Sequence, residues 1–442
     1  MKECKNKLFL PKRTQATRRF TNLSPMLKSS PILKRWLKAV LLLLSTGFFA
    51  TSVQAQRAFS ELNIENHFDI DYDAKVDHRI IFNEDSILVY IQLRTIDIDN
   101  TQKLFEQFDL SWHIQKTYHE PEVIQNNSLT TDNLLGNDGP KWYFILSLPG
   151  NNQGKLLVLN IHRKTVSKSL YYDISLDNTL NYSNAGLLLF PAEGDLPLIS
   201  NFINNTDTVR IRSLSNTGGS LYAYYYNKVF DPALPPMVVE KGKVVKELQV
   251  KDLIKIESGH TVRFTKSGFY FIQRDTSSVE GITIRVENPY FPVFKTMDKI
   301  VEPLIYISTG TETKTIRQAS DPHAAFEAYW LKLSETPNMA SQTIGKFYQQ
   351  VGTSNFYFTN YKEGWKTDPG MVYLIFGKPD EVYKGKETMD WIYNRNLSLP
   401  VIRFTFIKVK NIFAYDHYRL MRKKNYDRIW FKAVELWRKG KK

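Results

Sequence analysis

Cysteine is nearly absent from this chain: of 442 residues, only Cys4 carries a thiol. One thiol cannot form an internal disulfide or a multi-thiolate zinc site, and a chain that loses its first residues on export keeps no cysteine nucleophile. Histidine is sparse as well. His67, His78, His113, His119, His162, His260, His323 and His417 are scattered, none in an H-E-x-x-H arrangement, and the adjacent Asp416 and His417 would point to opposite faces of a strand. G-x-S-x-G is missing, and the Gly-Lys pair at 377–378 lacks the spacing and hydroxyl residue of a phosphate-binding loop. Zinc peptidase, serine hydrolase and nucleotide-hydrolase readings therefore have no support, and the expectation is no metal, no cofactor and no catalytic residue.

Long apolar runs are also scarce. The run AVLLLLSTGFFA, Ala39 to Ala50, stands out but falls short of the roughly 20 residues needed to span a bilayer. It follows Lys34, Arg35 and Lys38 and precedes Val53-Gln54-Ala55, a small-residue exit. This is the grammar of a secretory signal over 1–55, cleaved between Ala55 and Gln56, with Met26 as a second plausible start. Gln56 occupies the position where a lipoprotein would carry its acylated Cys. A periplasmic or outer-membrane-associated protein is expected, not a lipoprotein.

An excess of positive charge vanishes with that segment. The formal charge is +14, yet residues 1–55 hold eleven Lys/Arg and a single acid, Glu3, leaving 48 basic against 44 acidic residues beyond them. Nucleic-acid binding on net charge alone is excluded. Basic character persists only at 415–442, with ten Lys/Arg against three acids. The tail RLMRKKNYDRIWFKAVELWRKGKK reads as an amphipathic helix with Trp430, Val434 and Trp437 on one stripe. Its cations would be solvated, or would rest peripherally on an anionic membrane surface.

What is present is a mainly β chain with a C-terminal α+β region. Residues 56–178 hold alternating runs such as SILVYIQLRTIDI, with Ile87, Val89, Ile91 and Leu93 on one face. That pattern predicts a β-sandwich-like domain with one buried and one wetted face. A second β-rich domain is expected over 179–292, from GLLLF, TVRIRSL, SLYAYYY, GFYFIQ and GITIRVEN. From 293 to 442 the period shifts toward 3.6. KTMDKIVEPLIYI and SDPHAAFEAYWLKL read as helices, the second capped by Ser320 or Asp321, and MVYLIFG, MDWIYN and VIRFTFIK as strands between helices.

One stretch gathers turn residues, acids and a Trp: GWKTDPGMVYLIFGKPDE, 364–381. Thr367-Asp368-Pro369-Gly370 fits a tight turn, Met371 to Phe376 a buried strand, and Gly377-Lys378-Pro379-Asp380 a second turn. Asp368, Asp380, Glu363 and Glu381 could supply an acid/base pair like that of a glycosidase. The simpler expectation has Asp368 and Asp380 bonding turn N–H groups, Glu363 and Glu381 solvated, and Trp365 plugging a core.

Gly364, Trp365, Thr367 and Asp368, followed by GKPDE and MDWIY, resemble the GWxTD-domain proteins, exported proteins of Gram-negative envelopes. Pro369 departs from the charged residue expected after that pentapeptide. The resemblance implies a fold and an envelope location, and supplies no catalytic residue. It frames two expectations. One is a non-enzymatic interaction or assembly module whose partners are envelope proteins or glycans. The other is a glycan-binding protein or carboxylate-dependent hydrolase centred on Gly364, Trp365, Thr367, Asp368, Gly377, Pro379 and Asp380.

Overall fold

In a computed structural model that describes residues 57–442 apart from 167, 179–185, 215–218 and 240–247, the alternating segments become two face-to-face sheet pairs. The signal-peptide reading falls on residues outside the described ones. The first pair is built from β1 (Ala74–Phe82), β2 (Ser86–Thr95), β3 (Phe108–Gln115), β4 (Val123–Ser128), β5 (Leu134–Asp138), β6 (Lys141–Pro149), β7 (Leu156–Arg163) and β8 (Lys168–Ser175). Its sheets have the orders β1-β2-β6-β5 and β4-β3-β7-β8. Ile87, Val89, Ile91 and Leu93 meet Trp112, Ile114, Leu157 and Leu159 in one core. The expected inward stripe is thus buried between the sheets, as a period of two requires. A short helix, α1 (Thr101–Gln107), links the sheets and is capped by Asn100, whose side chain accepts the Lys103 N–H.

The second pair contains β9 (Leu187–Pro191), β10 (Phe202–Asn204), β11 (Thr208–Ser213), β12 (Ser220–Tyr226), β13 (Asp252–Glu257), β14 (Thr261–Arg263), β15 (Gly268–Gln273) and β16 (Ile282–Glu287). The orders are β14-β11-β9 and β10-β16-β15-β12-β13. Val209, Ile211, Leu221, Ala223, Tyr270 and Ile284 fill the space between them.

The remainder is α+β. Helices α2 (Met297–Val301), α3 (Gly310–Gln318), α4 (Pro322–Leu333), α5 (Pro337–Phe358) and α6 (Asp368–Phe376) precede an antiparallel sheet of β17 (Glu381–Lys384), β18 (Thr388–Tyr393), β19 (Ile402–Lys408) and β20 (Tyr418–Leu420), and α7 (Asp427–Arg438) closes the chain. Asp321 is the cap of α4, accepting the N–H groups of His323 and Ala324. In α7, Trp430, Ala433, Leu436 and Trp437 are buried, and Trp437 Nε1 donates to the Ile375 carbonyl at 3.0 Å. Arg438 returns from α7 to Glu312 in α3 through two hydrogen bonds, holding that carboxyl down at about 2.

The core of this region reaches beyond it. Phe59 and Ile64 at the start, and Tyr118, Leu156 and Val158 from the first sheet pair, join Trp330, Trp365, Trp391 and Trp437 in one hydrophobic cluster. Arg285 on β16 donates to the Tyr361 carbonyl at 2.9 Å, so the second sheet pair is tied to the segment after α5. The described residues between 57 and 442 therefore form one compact unit.

Candidate functional site

The expected strand at Met371–Phe376 is instead the helix α6. Every residue from Asp368 to Phe376 is buried, so the segment is apolar on all sides and carries no periodicity to separate helix from strand. The punctuation decides it. Thr367 is the N-cap, its hydroxyl accepting the Gly370 N–H at 3.0 Å while donating to the Gly364 carbonyl at 2.7 Å. Pro369 sits in the first turn, where its missing N–H costs no helix bond, and Gly377 ends the helix at φ 83°.

The glycines set how closely this turn approaches α5. A Cβ on Gly364 would collide with the Ser354 carbonyl, and one on Gly370 with the Gly364 carbonyl. α5 answers with small polar side chains. Asn355 accepts the Trp365 N–H at 3.3 Å, Ser354 donates to the Gly370 carbonyl at 3.2 Å, and Thr359 accepts the Gly364 N–H at 3.1 Å. Trp365 is fully buried, edge-on to Tyr306 with centroids 5.9 Å apart.

The motif's acids do other work than the sequence suggested. Asp368 does not serve its own turn. It accepts the Leu420 N–H at 2.8 Å and both terminal nitrogens of Arg422, at 2.6 and 3.2 Å. Asp380 accepts the N–H groups of Asn394 and Arg395, at 2.7 and 2.8 Å, after the neighbouring strand. Glu363 is buried, not solvated, and pairs with Lys299, Lys366 and Arg285. Burial alone would raise its pKa, but the three cations outweigh that and hold it at about 2. Glu381 is partly buried and accepts from the Asn394 side chain and the Tyr383 hydroxyl. Gly377 offers its carbonyl to the Tyr393 hydroxyl at 2.9 Å, and Pro379 is buried beside it. Gly364, Trp365, Thr367 and Asp368 thus converge on one folded knot, whereas Asp380 secures a separate corner.

A cavity of about 480 Å³ opens beside this knot, where both sheet pairs meet the C-terminal region. Thr367 and Pro369 reach its wall, and so do side chains that sequence reasoning passed over. Along β2 the polar residues alternating with the core were expected to face water. In the fold Lys75, Asp77, Arg79, Gln92 and Arg94 line the cavity, closed over by Phe356 and Tyr357 at the end of α5. The signal was visible as three charges at period two in AKVDHR, but the element covering them lies far along the chain.

Strand register sets these groups in rows. Lys75 is opposite Arg94, and Arg94 opposite Lys141; the next row is Asp77, Gln92 and Tyr143. Among the described residues no carboxylate lies within 4.0 Å of Lys75, Arg79 or Arg94. The Arg94 Nε is buried without a hydrogen-bond partner, and its guanidinium carbon lies 5.2 Å from the Phe356 ring centre. Burial and then the Arg94 charge lower Lys75 to about 8, and burial raises Asp77 despite the cations around it. His78 and His417 also face the space; burial lowers each to about 4, so both are neutral imidazoles at pH 7. Among the described residues no group of His, Cys, Asp and Glu could hold a metal ion.

No curated protein matches the chain. Among solved structures, one described as "Biofilm associated protein - BSP domain" aligns at 11% identity with 51% of this chain and 54% of its own, at a TM-score of 0.16. The alignment thus spans about half of that protein's length. Another, "Crystal structure of DIP-gamma IG1+IG2", aligns at 10% identity with 50% of this chain and 100% of its own, at a TM-score of 0.14. Such scores say nothing about ligand or partner. The sequence model of the GWxTD domain matches residues 268–439, beginning within β15 and enclosing the Gly364–Asp368 knot. The chain is a GWxTD domain-containing protein.

Proposed function

We propose that this protein is a non-enzymatic interaction module of the Gram-negative cell envelope, exported with removal of its first 55 residues and working in the periplasm or at the outer membrane. The observation that carries this reading is the commitment of the motif's acids to internal bonds. Asp368 holds Arg422 and the Leu420 N–H, Asp380 holds two N–H groups, and Glu363 sits among three cations. A general acid or base must reach a substrate proton, and groups so occupied are poorly placed to do so. The motif then acts by shaping the scaffold that presents other surfaces to envelope proteins or glycans.

A second contact is favoured by one surface. Leu397, in the loop between β18 and β19, is 102% exposed and Phe431 of α7 is 61% exposed. They line a shared groove with Arg428, Lys432 and Glu435, the last two paired at 3.3 Å, and the exposed apolar pair beside a net positive charge suits peripheral contact with an anionic membrane.

The test is fractionation of the producing cell with in vivo crosslinking, followed by identification of the crosslinked species. Recovery in the envelope fraction with specific partners, retained in Asp368→Asn and Asp380→Asn variants that stay folded, is expected. Recovery only as a free, uncrosslinked species would overturn the reading.

A further inference from the structure

The strand register places Lys75, Arg94 and Lys141 side by side on three adjacent strands, on the face that looks into the cavity. Directly opposite like charges destabilise a sheet, since their Cβ atoms lie only about 4.5–5.5 Å apart. Lys141 has Asp138 at 3.4 Å, but Lys75 and Arg94 have no carboxylate within 4.0 Å among the described residues. Lys75 is held by neutral acceptors, the Ile70 carbonyl at 2.6 Å and the Tyr357 hydroxyl at 3.3 Å. Arg79, on the same face of β1, likewise donates only to neutral oxygens, those of His78, Ser200 and Asn201. The acid facing this group on β1 is Asp77, in the next row; Asp416, across the cavity, is paired with Lys408 at 2.8 Å. No described residue accepts a hydrogen bond from the Arg94 guanidinium, which leaves its forked end for an acceptor supplied from outside.

We propose that this cavity binds a small hydroxyl-bearing organic anion, a sugar acid or sugar phosphate, whose carboxylate or phosphate seats on Arg94 and Lys75. Planar, forked donors match such groups in pairs, which suits Arg94 to a bidentate contact. Lys141, with 40% of its side chain exposed, also lines the cavity. Beyond the cation row, Asp77, Gln92 and Tyr143 provide acceptors and donors for hydroxyl groups. Phe356 supplies an apolar wall, and 480 Å³ lies in the range of small-molecule sites. The site is separate from the motif acids and does not depend on the interaction-module reading.

The test is calorimetric titration of the full exported chain with glucuronate, glucose 6-phosphate and neutral glucose, with Arg94→Gln and Lys75→Gln as variants. At least one acid should bind and glucose should not; the better of the two acids identifies carboxylate or phosphate as the group recognised. Arg94→Gln should weaken that acid about tenfold to a hundredfold, the loss of a charge-assisted contact. Without ligand, Lys75→Gln should melt no lower than the parent, because it relieves the like-charge row, and it too should bind the acid more weakly. The proposal is overturned if neither acid binds, if glucose binds equally well, or if both variants keep the parent's acid affinity.

Discussion

Asp368 grips Arg422 through two hydrogen bonds, and the same carboxylate accepts the Leu420 N–H, so the first residue of α6 fixes the strand that ends the C-terminal sheet. The side chains are only 10% and 15% exposed. Removing one partner of such a pair strands the other, at a cost of about 3–5 kcal/mol. Asp368→Ala should destabilise the protein by that order in urea unfolding. The Asp368→Ala/Arg422→Ala double variant should lose clearly less than the sum of the single losses. Strict additivity would mean that the two groups do not act together.

Gly364 and Gly370 differ from other glycines in what surrounds them. A methyl at either meets backbone, whereas one at Gly345, on the exposed side of α5, meets nothing within 4 Å. Gly345→Ala should therefore stabilise the protein by up to about 1 kcal/mol, because alanine is the better helix former. Gly364→Ala and Gly370→Ala should each cost several times the usual price of a surface change, on the order of 3 kcal/mol or more. Equal effects at all three positions would show that close approach of α5 and α6 is not what the motif glycines provide.

Acid sensitivity should come in two windows. His67, His78 and His417 are each lowered by burial from 6.5 to about 4, so the unfolded chain takes up their protons first. Their contribution to stability is complete above 6.5 and is lost as pH falls toward 4. His78 is flanked by Asp416, Arg79, Asp173 and Lys384, whose charges only partly offset one another. Glu363, lowered from 4.5 to about 2, gives a later loss as pH drops from 4.5 through 2. Unfolding free energies measured from about pH 7 to pH 3 should slope downward in the first window, and His78→Gln should flatten that slope. An unchanged slope in His78→Gln would sink the assignment.

How much of this was readable beforehand depends on where each signal lies. The stripes of β2 and of α7 were legible because burial on one face leaves a period in the sequence, and the Asp321 cap because its role is local. Helix α6 reads as a strand because full burial erases that period, and only the cap Thr367 and Pro369 in the first turn mark it as a helix. Helix α5 leaves no clear signal: Gly345, Gly352 and several β-branched and polar residues mask it, and much of its stabilisation comes from packing against α6 and Trp330. The cavity left only half a signal, the charges of AKVDHR at period two. Its cations sit on β1 and β2, but their aromatic cover comes from residues 356 and 357, and no spacing along one strand reveals such a partner.

The groove of Leu397 and Phe431 gives the last prediction its sharpest contrast, because both side chains are exposed and neither supports the core. Leu397→Ser and Phe431→Ser should leave the melting temperature nearly unchanged, as surface substitutions usually do. Burying each side chain in the headgroup boundary would contribute about 1.5–3 kcal/mol, so the double variant should lose at least tenfold in co-sedimentation with anionic vesicles. Arg428 and Lys432 flank the groove, so parent binding should weaken as salt shortens the screening distance, and neutral vesicles should sediment little protein. If the double variant sediments as well as the parent, or if lipid charge makes no difference, this face does not meet a membrane, and the groove falls to protein partners captured by crosslinking.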